Sequence, residues 1–405
     1  MRADFLGAYA GDDALPDTPF LDGLAASSLV FDAAHATAPW TQPSLASTLT
    51  GKWPWQHGVT RLLAPLGDGH RTLAEAFDEG GWHTGGVMTN FLIRKKGGYA
   101  QGFDLWSEDL ARGHEGLSAE AAVDELLVSL DTLTHARVSP DEPIFLFGFF
   151  FEPHWRYEPS DKTRDLGVTR FSELKDLRAA LAAGQLSVAD LAELRQLYAG
   201  EVERIDHALA RLAAELEKRG LWDDAVVIFT ADHGEQLGES TWGADPWVGH
   251  TVDLSETLTR VPLWIKAPGL APGREARPVS AIDVGATALD LAGLEGKLGE
   301  GRSLFAKTPR ERLFMHVDFE PALVQAGSER KRTLMWGVVD ATTRHKWVVD
   351  HLAEGGPRGI EFDLATDPRE ETPLPAGPIT PTLQTLLGLV PADLNGRRGE
   401  TPSQP

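Results

Sequence analysis

At 405 residues the chain is long enough for one large α/β domain and a smaller one, with an ordinary globular composition of 42% hydrophobic and 24% charged residues. A formal charge of −22 argues against a nucleic-acid or anionic-membrane partner, and an anionic substrate would need a local positive centre to offset it. Cysteine is absent, which excludes disulfides, thiolate metal sites and a Cys nucleophile, and no apolar run approaches the ~18 residues of a membrane span.

The first residues, Met-Arg-Ala-Asp-Phe-Leu-Gly-Ala-Tyr, lack the apolar segment of a signal peptide, so a cytoplasmic location is expected of the chain as given. Residues 1–37 read as irregular apart from a short helix over 19–27. Residues 38–51, Ala-Pro-Trp-Thr-Gln-Pro-Ser-Leu-Ala-Ser-Thr-Leu-Thr-Gly, predict a helix with Thr41 at or just before its N-terminus and Gly51 closing it. Thr41 is there either an N-cap, worth ~1 kcal/mol, or a hydroxyl aimed at a tetrahedral oxyanion bound at the helix end.

Residues 71–79 read as a helix and 82–88 as a strand, followed by a loop that holds Asn90; an amphipathic helix is expected over 117–133. The run Ile-Phe-Leu-Phe-Gly-Phe-Phe-Phe within 142–151 is too apolar for anything but a central strand, and it exits into Glu152, His154, Arg156 and Tyr157. A charged excursion over 161–186 precedes a long helix over 188–219. In that helix Leu191, Leu194, Tyr198, Val202, Ile205, Leu209, Leu212 and Leu216 advance by three or four.

Residues 225–235, Ala-Val-Val-Ile-Phe-Thr-Ala-Asp-His-Gly-Glu, form a buried strand that ends in an acid and a histidine. Ligands of open α/β sheets gather outside the carboxyl ends of the strands, so Asp232 and His233 stand where a metal or substrate would bind. The structural alternative is an Asp that caps the next turn and a His satisfied by backbone. A loop over 238–249 leads to His250, then to a strand over 260–267 with a hard stop, and to a strand end or turn feeding a helix over 281–293. The βα alternation predicts a doubly wound, mostly parallel sheet with helices on both faces for residues 1–310. From 311 to 393, short strands at 313–317, 334–339, 346–350 and 360–363 predict a small antiparallel sheet, with a helix near 380–389. Residues 394–405 are expected to be a disordered tail.

Several of these stretches, in this order and spacing, resemble the sulfatase family of the alkaline phosphatase superfamily over nearly the whole chain. They are Arg2-Ala-Asp-Phe-Leu-Gly-Ala-Tyr, Ala38-Pro-Trp-Thr-Gln-Pro-Ser, Leu49-Thr-Gly, Gln101-Gly-Phe-Asp, Ala231-Asp-His-Gly-Glu, Gly249-His, Arg260-Val-Pro-Leu-Trp-Ile-Lys-Ala-Pro-Gly, Gly301-Arg-Ser-Leu and Phe362-Asp-Leu-Ala-Thr-Asp-Pro-Arg-Glu. The resemblance implies displacement at a sulfur or phosphorus centre of a small anionic ester, with Thr41 as nucleophile in the motif Thr41-Gln-Pro-Ser-Leu45. It implies one divalent cation on Asp232, His233 and Thr41, chosen among Mn²⁺, Zn²⁺, Ca²⁺ and Mg²⁺, with the histidine favouring Mn²⁺ or Zn²⁺. His154 and His250 fall where relatives contact the ester oxyanion or protonate the leaving oxygen. Asn90 is a further oxyanion donor, and Lys52 an anion contact.

Departures from the family pattern refine that reading. A Thr cannot be converted to formylglycine, Leu45 stands where sulfatases carry an Arg, and residues 81–90 lack the Lys of the family's Gly-Lys-Trp-His stretch. Thr nucleophiles belong to relatives that act on phosphate esters, which favours phosphate over sulfate. Relatives also open with an apolar strand bearing Asp ligands, and Met1 stands at the junction that follows it. A true start upstream, with a periplasmic or secreted location, is one account of this. A shortened chain is a second, and a third is a catalytically silent protein that binds an anionic ligand or a partner. The segments 155–186 and 238–249 are expected to set specificity.

Overall fold

The computed structural model describes residues 1–374 and Gln384, apart from 11–15, 112–117, 158–167, 169–170, 172, 243, 321–331 and 355–356. After a 3-10 turn at Ala3–Phe5 come α1 (Gly7–Ala10), α2 (Pro19–Ala26), β1 (Leu29–Phe31), β2 (Ala34–His35), α3 (Thr41–Thr50) and α4 (Pro54–His57). Next are α5 (Leu73–Glu79), β3 (His83–Met88), β4 (Leu105–Ser107), α6 (Ala119–Ala136) and β5 (Ile144–Phe149). Helices α7 (Leu174–Ala182) and α8 (Val188–Lys218) lead to β6 (Val227–Thr230) and the hairpin of β7 (Gln236–Leu237) and β8 (Val248–Gly249). The large unit closes with α9 (Glu256–Thr259), β9 (Arg260–Val261), β10 (Leu263–Lys266), β11 (Gly273–Glu275), β12 (Val279–Ser280) and α10 (Val284–Leu291). A last group comprises β13 (Arg312–Phe319), β14 (Thr333–Asp340), β15 (His345–Asp350) and β16 (Arg358–Asp363).

Local chemistry sets many of these boundaries. Thr72 and Glu75 form a capping box that starts α5, and Ser187 with Asp190 does the same for α8. Gly51 ends α3 in the left-handed conformation, where a Cβ would stand 2.0 Å from the Leu298 carbonyl oxygen. Along α8, at about 46 Å the longest helix described, Leu194, Leu197, Tyr198, Val202 and Ile205 form the buried stripe. Pro262 has no N–H to give, and the strand expected over 260–267 is divided there into β9 and β10, which join different sheets.

The fold is α/β with helices on both faces of its sheets; β3, for example, packs against both α5 and α6. One sheet, β4-β3-β5, is wholly parallel. A second has the order β11-β1-β10-β6, with β1 and β11 parallel and β10 antiparallel to both β1 and β6. Strands β1 and β2 lie where irregular chain was expected. They are too short to show a period of two, and pairing with β10, β11, β9 and β12 creates them. The expectation that the apolar run at 142–151 is a central strand is corrected. Among the described strands β5 ends its sheet, as β6 ends its own, and none of their residues is fully buried despite their composition.

The C-terminal strands form the expected antiparallel meander, β13-β14-β15-β16. The helix expected near 380–389 and the tail over 394–405 lie outside the described residues, Gln384 apart. Leu313, Met315, Val317 and Phe362 of this sheet share an apolar cluster with Ala38, Trp40 and Leu254 of the large unit. A buried ionic group crosses the same boundary. Lys346 Nζ lies 2.8 Å from both Glu256 Oε1 and Glu370 Oε1, and His35 Nε2 lies 3.1 Å from Glu256. Its carboxylates surround a lysine with no exposed surface, and removing the lysine would leave two buried acids facing one another. Lys346→Ala is therefore expected to cost about 3–5 kcal/mol of unfolding free energy, read from the urea midpoint, whereas an exposed lysine such as Lys218 should cost under about 1 kcal/mol.

Candidate active site

Two chain segments converge to build the site: the N-terminus of α3 and the loop that leaves β6. Ser44, one turn into α3, donates its hydroxyl to the Asp232 carbonyl at 2.6 Å and locks the helix onto that loop. Gly234 is required in the loop, because a Cβ there would stand 1.9 Å from the Thr257 carbonyl oxygen. Thr41 is the first residue of α3. The N-cap is Trp40, which makes no side-chain capping bond, so the Thr41 hydroxyl is not used as a cap. It lies 3.2 Å from His233 Nε2.

His233 Nδ1–H donates to the Gly234 carbonyl at 2.7 Å, which leaves the Nε2 lone pair directed at Thr41. Asp232 accepts the His233 backbone N–H on Oδ1 at 2.9 Å. Its Oδ2 stands 3.3 Å from His233 Nε2, buried and without a hydrogen-bond partner. Burial drives His233 down to about 4, so the imidazole is neutral near pH 7. Burial alone would raise the Asp232 carboxyl, but His233 and the Met1 ammonium hold it below its ordinary value. That ammonium donates to the His233 carbonyl at 2.6 Å. A carboxylate oxygen with no partner, a free imidazole lone pair and a hydroxyl form a donor set that suits a divalent cation.

Behind this set lies a second cluster. His250 Nδ1 is 3.0 Å from Glu235 Oε2, and the His250 ring centroid is 4.4 Å from that of His233 and 5.3 Å from that of His154. His154 uses Nδ1 on the Trp155 carbonyl at 2.7 Å and stacks on Phe151. Ligand atoms of His233, Glu235 and His250 all lie within 4.8 Å of one another. Burial raises the Glu235 carboxyl, against the pull of His154, His233 and Arg178. Glu235 was assigned no role from sequence, although it closes the Asp-His-Gly-Glu stretch; an acid two residues past a candidate ligand was the available signal. Arg2 was missed likewise. Its guanidinium bonds Asp4 at 2.7 and 2.8 Å, Glu239 at 2.5 Å and the Glu235 carbonyl at 3.2 Å, and so clamps the loop.

Asn90 is buried beside α3. Its Oδ1 accepts from the Leu92 N–H at 2.8 Å, and Gln42 of α3 reaches the Leu92 carbonyl, so its amide NH₂ remains the donor end. The assignment of Lys52 is corrected. It follows the C-terminus of α3, about 15 Å of helix away from Thr41, where its Nζ contacts His70 Nδ1 at 2.8 Å. Proximity in sequence misled here, because the helix carries the chain away from the site.

A hydroxyl at the start of α3, two acids and three histidines gather near the exits of β5 and β6, an arrangement that suits an α/β ester hydrolase. The Sulfatase family model matches residues 1–294. The chain belongs to the sulfatase family. It is 25% identical over 411 residues to the multifunctional alkaline phosphatase superfamily protein PehA of Trinickia caryophylli, covering 79% of this chain and 78% of that one. A low-salt glycan biosynthesis sulfotransferase of Haloferax volcanii is 26% identical over 300 residues, covering 74% of this chain and 62% of that one. Among solved structures, the phosphonate monoester hydrolase of Agrobacterium radiobacter has a TM-score of 0.68 at 22% identity, covering 97% of this chain and 93% of that one. A protein solved with its substrate D-glucosamine-2-N,6-O-disulfate has a TM-score of 0.70 at 19% identity, covering 97% and 95%. No helix among the described residues is long and apolar enough to cross a membrane.

Burial also holds His57 and His316 neutral, both down at about 3. With His233 at about 4, the folded state refuses protons that unfolded histidines take up near 6.5. Stability should therefore fall as pH drops from about 6.5 towards 4, and urea midpoints at pH 7, 5.5 and 4.5 should decline in that order. His316→Gln should flatten the decline, and a midpoint independent of pH across this range would contradict the neutral assignment.

Proposed function

We propose that the chain hydrolyses small anionic esters with Thr41 as nucleophile, and that phosphate esters are preferred to sulfate esters. The observation that carries this reading is the 3.2 Å contact between the Thr41 hydroxyl and the unprotonated Nε2 of His233 at the N-terminus of α3. Asp232, His233 and Thr41 would hold one divalent cation, Mn²⁺ or Zn²⁺ by donor type, with Ca²⁺ and Mg²⁺ as the alternatives. When bound, such an ion lowers the pKa of a coordinated hydroxyl and offsets charge on an ester oxygen.

The remaining roles belong to the chain itself. The Thr41 Oγ1–H hydrogen bond to His233 Nε2 holds the hydroxyl at the N-terminus of α3, whose dipole favours an approaching anion. Asn90 offers its NH₂ to a non-bridging oxygen. Glu235 holds His250 by Nδ1, which leaves Nε2 as the position that passes a proton to the departing oxygen. His154, in edge contact with His250, lines the same side. In the first step the Thr41 hydroxyl gives its proton to solvent as its oxygen–phosphorus bond forms, the phosphorus–leaving-oxygen bond breaks, and the leaving oxygen takes the His250 proton. In the second, water gives a proton back to His250 and bonds to phosphorus, and Thr41 departs from phosphorus, taking a proton from solvent to become the hydroxyl again. The Thr side chain, which cannot become formylglycine, favours phosphate, as does the likeness to a phosphonate monoester hydrolase.

A second reading, an anion-binding protein without turnover, is supported by the guanidiniums of Arg2, on the Glu235 carbonyl, and of Arg178, on the Val248 carbonyl.

4-Nitrophenyl phosphate and 4-nitrophenyl sulfate, assayed with Mn²⁺, Zn²⁺, Mg²⁺ or Ca²⁺, separate these readings. Thr41→Ala should lose about 10³-fold or more in kcat, and Thr41→Ser should keep part of it. His250→Ala should slow phenyl phosphate more than 4-nitrophenyl phosphate, because the poorer leaving group needs the proton more. Turnover unchanged in Thr41→Ala would reject the nucleophile, and vanadate binding without turnover in the wild type would favour the second reading.

A further inference from the structure

Helix α7 comes from the charged excursion and buries Leu177, Ala180 and Leu181, while Arg178 reaches the β7–β8 hairpin. Its Nε donates to the Val248 carbonyl at 2.7 Å, and its guanidinium lies 4.3 Å over the Trp247 ring. Gly249, with φ of 110°, makes this approach feasible: a Cβ there would stand 2.2 Å from Arg178 Nη2 and 3.6 Å from Glu235 Oε1. One edge of the guanidinium is thus anchored beside Glu235 and His250. Its Nη groups make no hydrogen bond or ion pair among the described residues; Glu235 Oε2, on the nearest carboxylate, is committed to His250. Burial lowers Arg178 to about 10, against the pull of the Glu235 charge, the sign of a cation short of solvent.

We infer that Arg178 is a specificity-determining residue whose free guanidinium edge binds a second oxyanionic group on the leaving-group side of the substrate. The inference rests on the ester-hydrolase reading above and extends it. Contacts run from Thr41 to His233, His250 and Glu235, and the space beside Gly249 adjoins both Glu235 and Arg178, so the arginine lies beyond the histidine that faces the leaving oxygen. A chain of net charge −22 repels a doubly charged ester, and a fixed guanidinium at this point offsets that repulsion locally. Its planar fork suits a carboxylate, sulfonate or phosphate. Stacking on Trp247 and the bond to Val248 fix its direction before the ligand arrives.

The test uses phenyl phosphates that carry a para-carboxylate, a para-sulfonate or a neutral para-carboxamide. The wild type should show a KM about tenfold lower for the two charged esters than for the carboxamide. Arg178→Gln should erase that ratio, raising the charged KM values far more than the neutral one, and Arg178→Lys should restore part of it. Calorimetric binding of the same esters to Thr41→Ala, with and without Arg178→Gln, reads the ratio without turnover. A chain that hydrolyses none of them but binds the charged esters through Arg178 therefore fails only the hydrolase reading. An equal loss for all three esters in Arg178→Gln, or a charge preference unchanged in both KM and binding, overturns the inference.

Discussion

The site exists because α3 is driven into the protein interior with its first residue against the loop after β6. All ten residues of α3 are buried. Its composition, rich in Ser and Thr, gives little intrinsic helix stability, and the hydroxyls of Thr48 and Thr50 bond back to the carbonyls four residues earlier. Tertiary packing therefore forms this helix. Small side chains permit it: a Cβ on Gly285 would meet Leu298 at 2.5 Å and the Thr48 carbonyl oxygen at 2.9 Å. The Ser44 bond to Asp232 then converts that packing into a fixed distance between the Thr41 hydroxyl and His233.

Electrostatics impose the second constraint. Glu235 is buried and Asp232 nearly so, and His233 supplies no full positive charge while neutral. Compensation comes from the periphery. Arg2 stays charged despite burial because Glu239 and Asp4 pair with it, and it spends one further N–H on the Glu235 carbonyl. Arg178 approaches from the opposite side through Gly249. The outcome is a cluster of lone pairs flanked by two guanidiniums.

Much of this was legible in the sequence wherever a local signal existed. The Gly51 stop, the stripe of α8, the strand before Asp232 and the C-terminal meander all obey short-range rules, and the structure shows each within a few residues of its expected bounds. Asp232–His233 stood out by their place at a strand exit and Thr41 by its place at a helix start, but a shared role for them came only from the family pattern, since nothing in their spacing brings them together. Strands β1 and β2 were not legible, because pairing with residues more than 200 positions away creates them. Arg178 escaped notice for the same reason: an arginine on an amphipathic helix looks like any solvated charge until its contacts with Val248 and Trp247 are known. Lys52 illustrates the converse error, in which nearness in sequence stood in for nearness in space.

The half-buried state of β5 and β6 bears on how the site is held together. His154 follows β5, and Asp232 and His233 follow β6, yet these strands belong to different sheets and share no ladder among the described residues. What joins them is the helical layer: α6 packs on β3 and β5, and α8 packs on α6. Apolar residues of α8 in turn share a cluster with Val227 and Phe229 of β6. The Met1 side chain packs against both apolar clusters involved, the one that Val227 and Phe229 also pack against and the one that Phe150 packs against. Ladder hydrogen bonds are directional, whereas apolar packing tolerates small shifts at modest cost. The contact between His154 and His250 is accordingly the compliant part of the site, and the Thr41–His233 contact, braced by Ser44 and by burial of α3, is the rigid part. Under the roles proposed above, a rigid Thr41 and an adjustable His154–His250 side would let one attack geometry serve esters of different size.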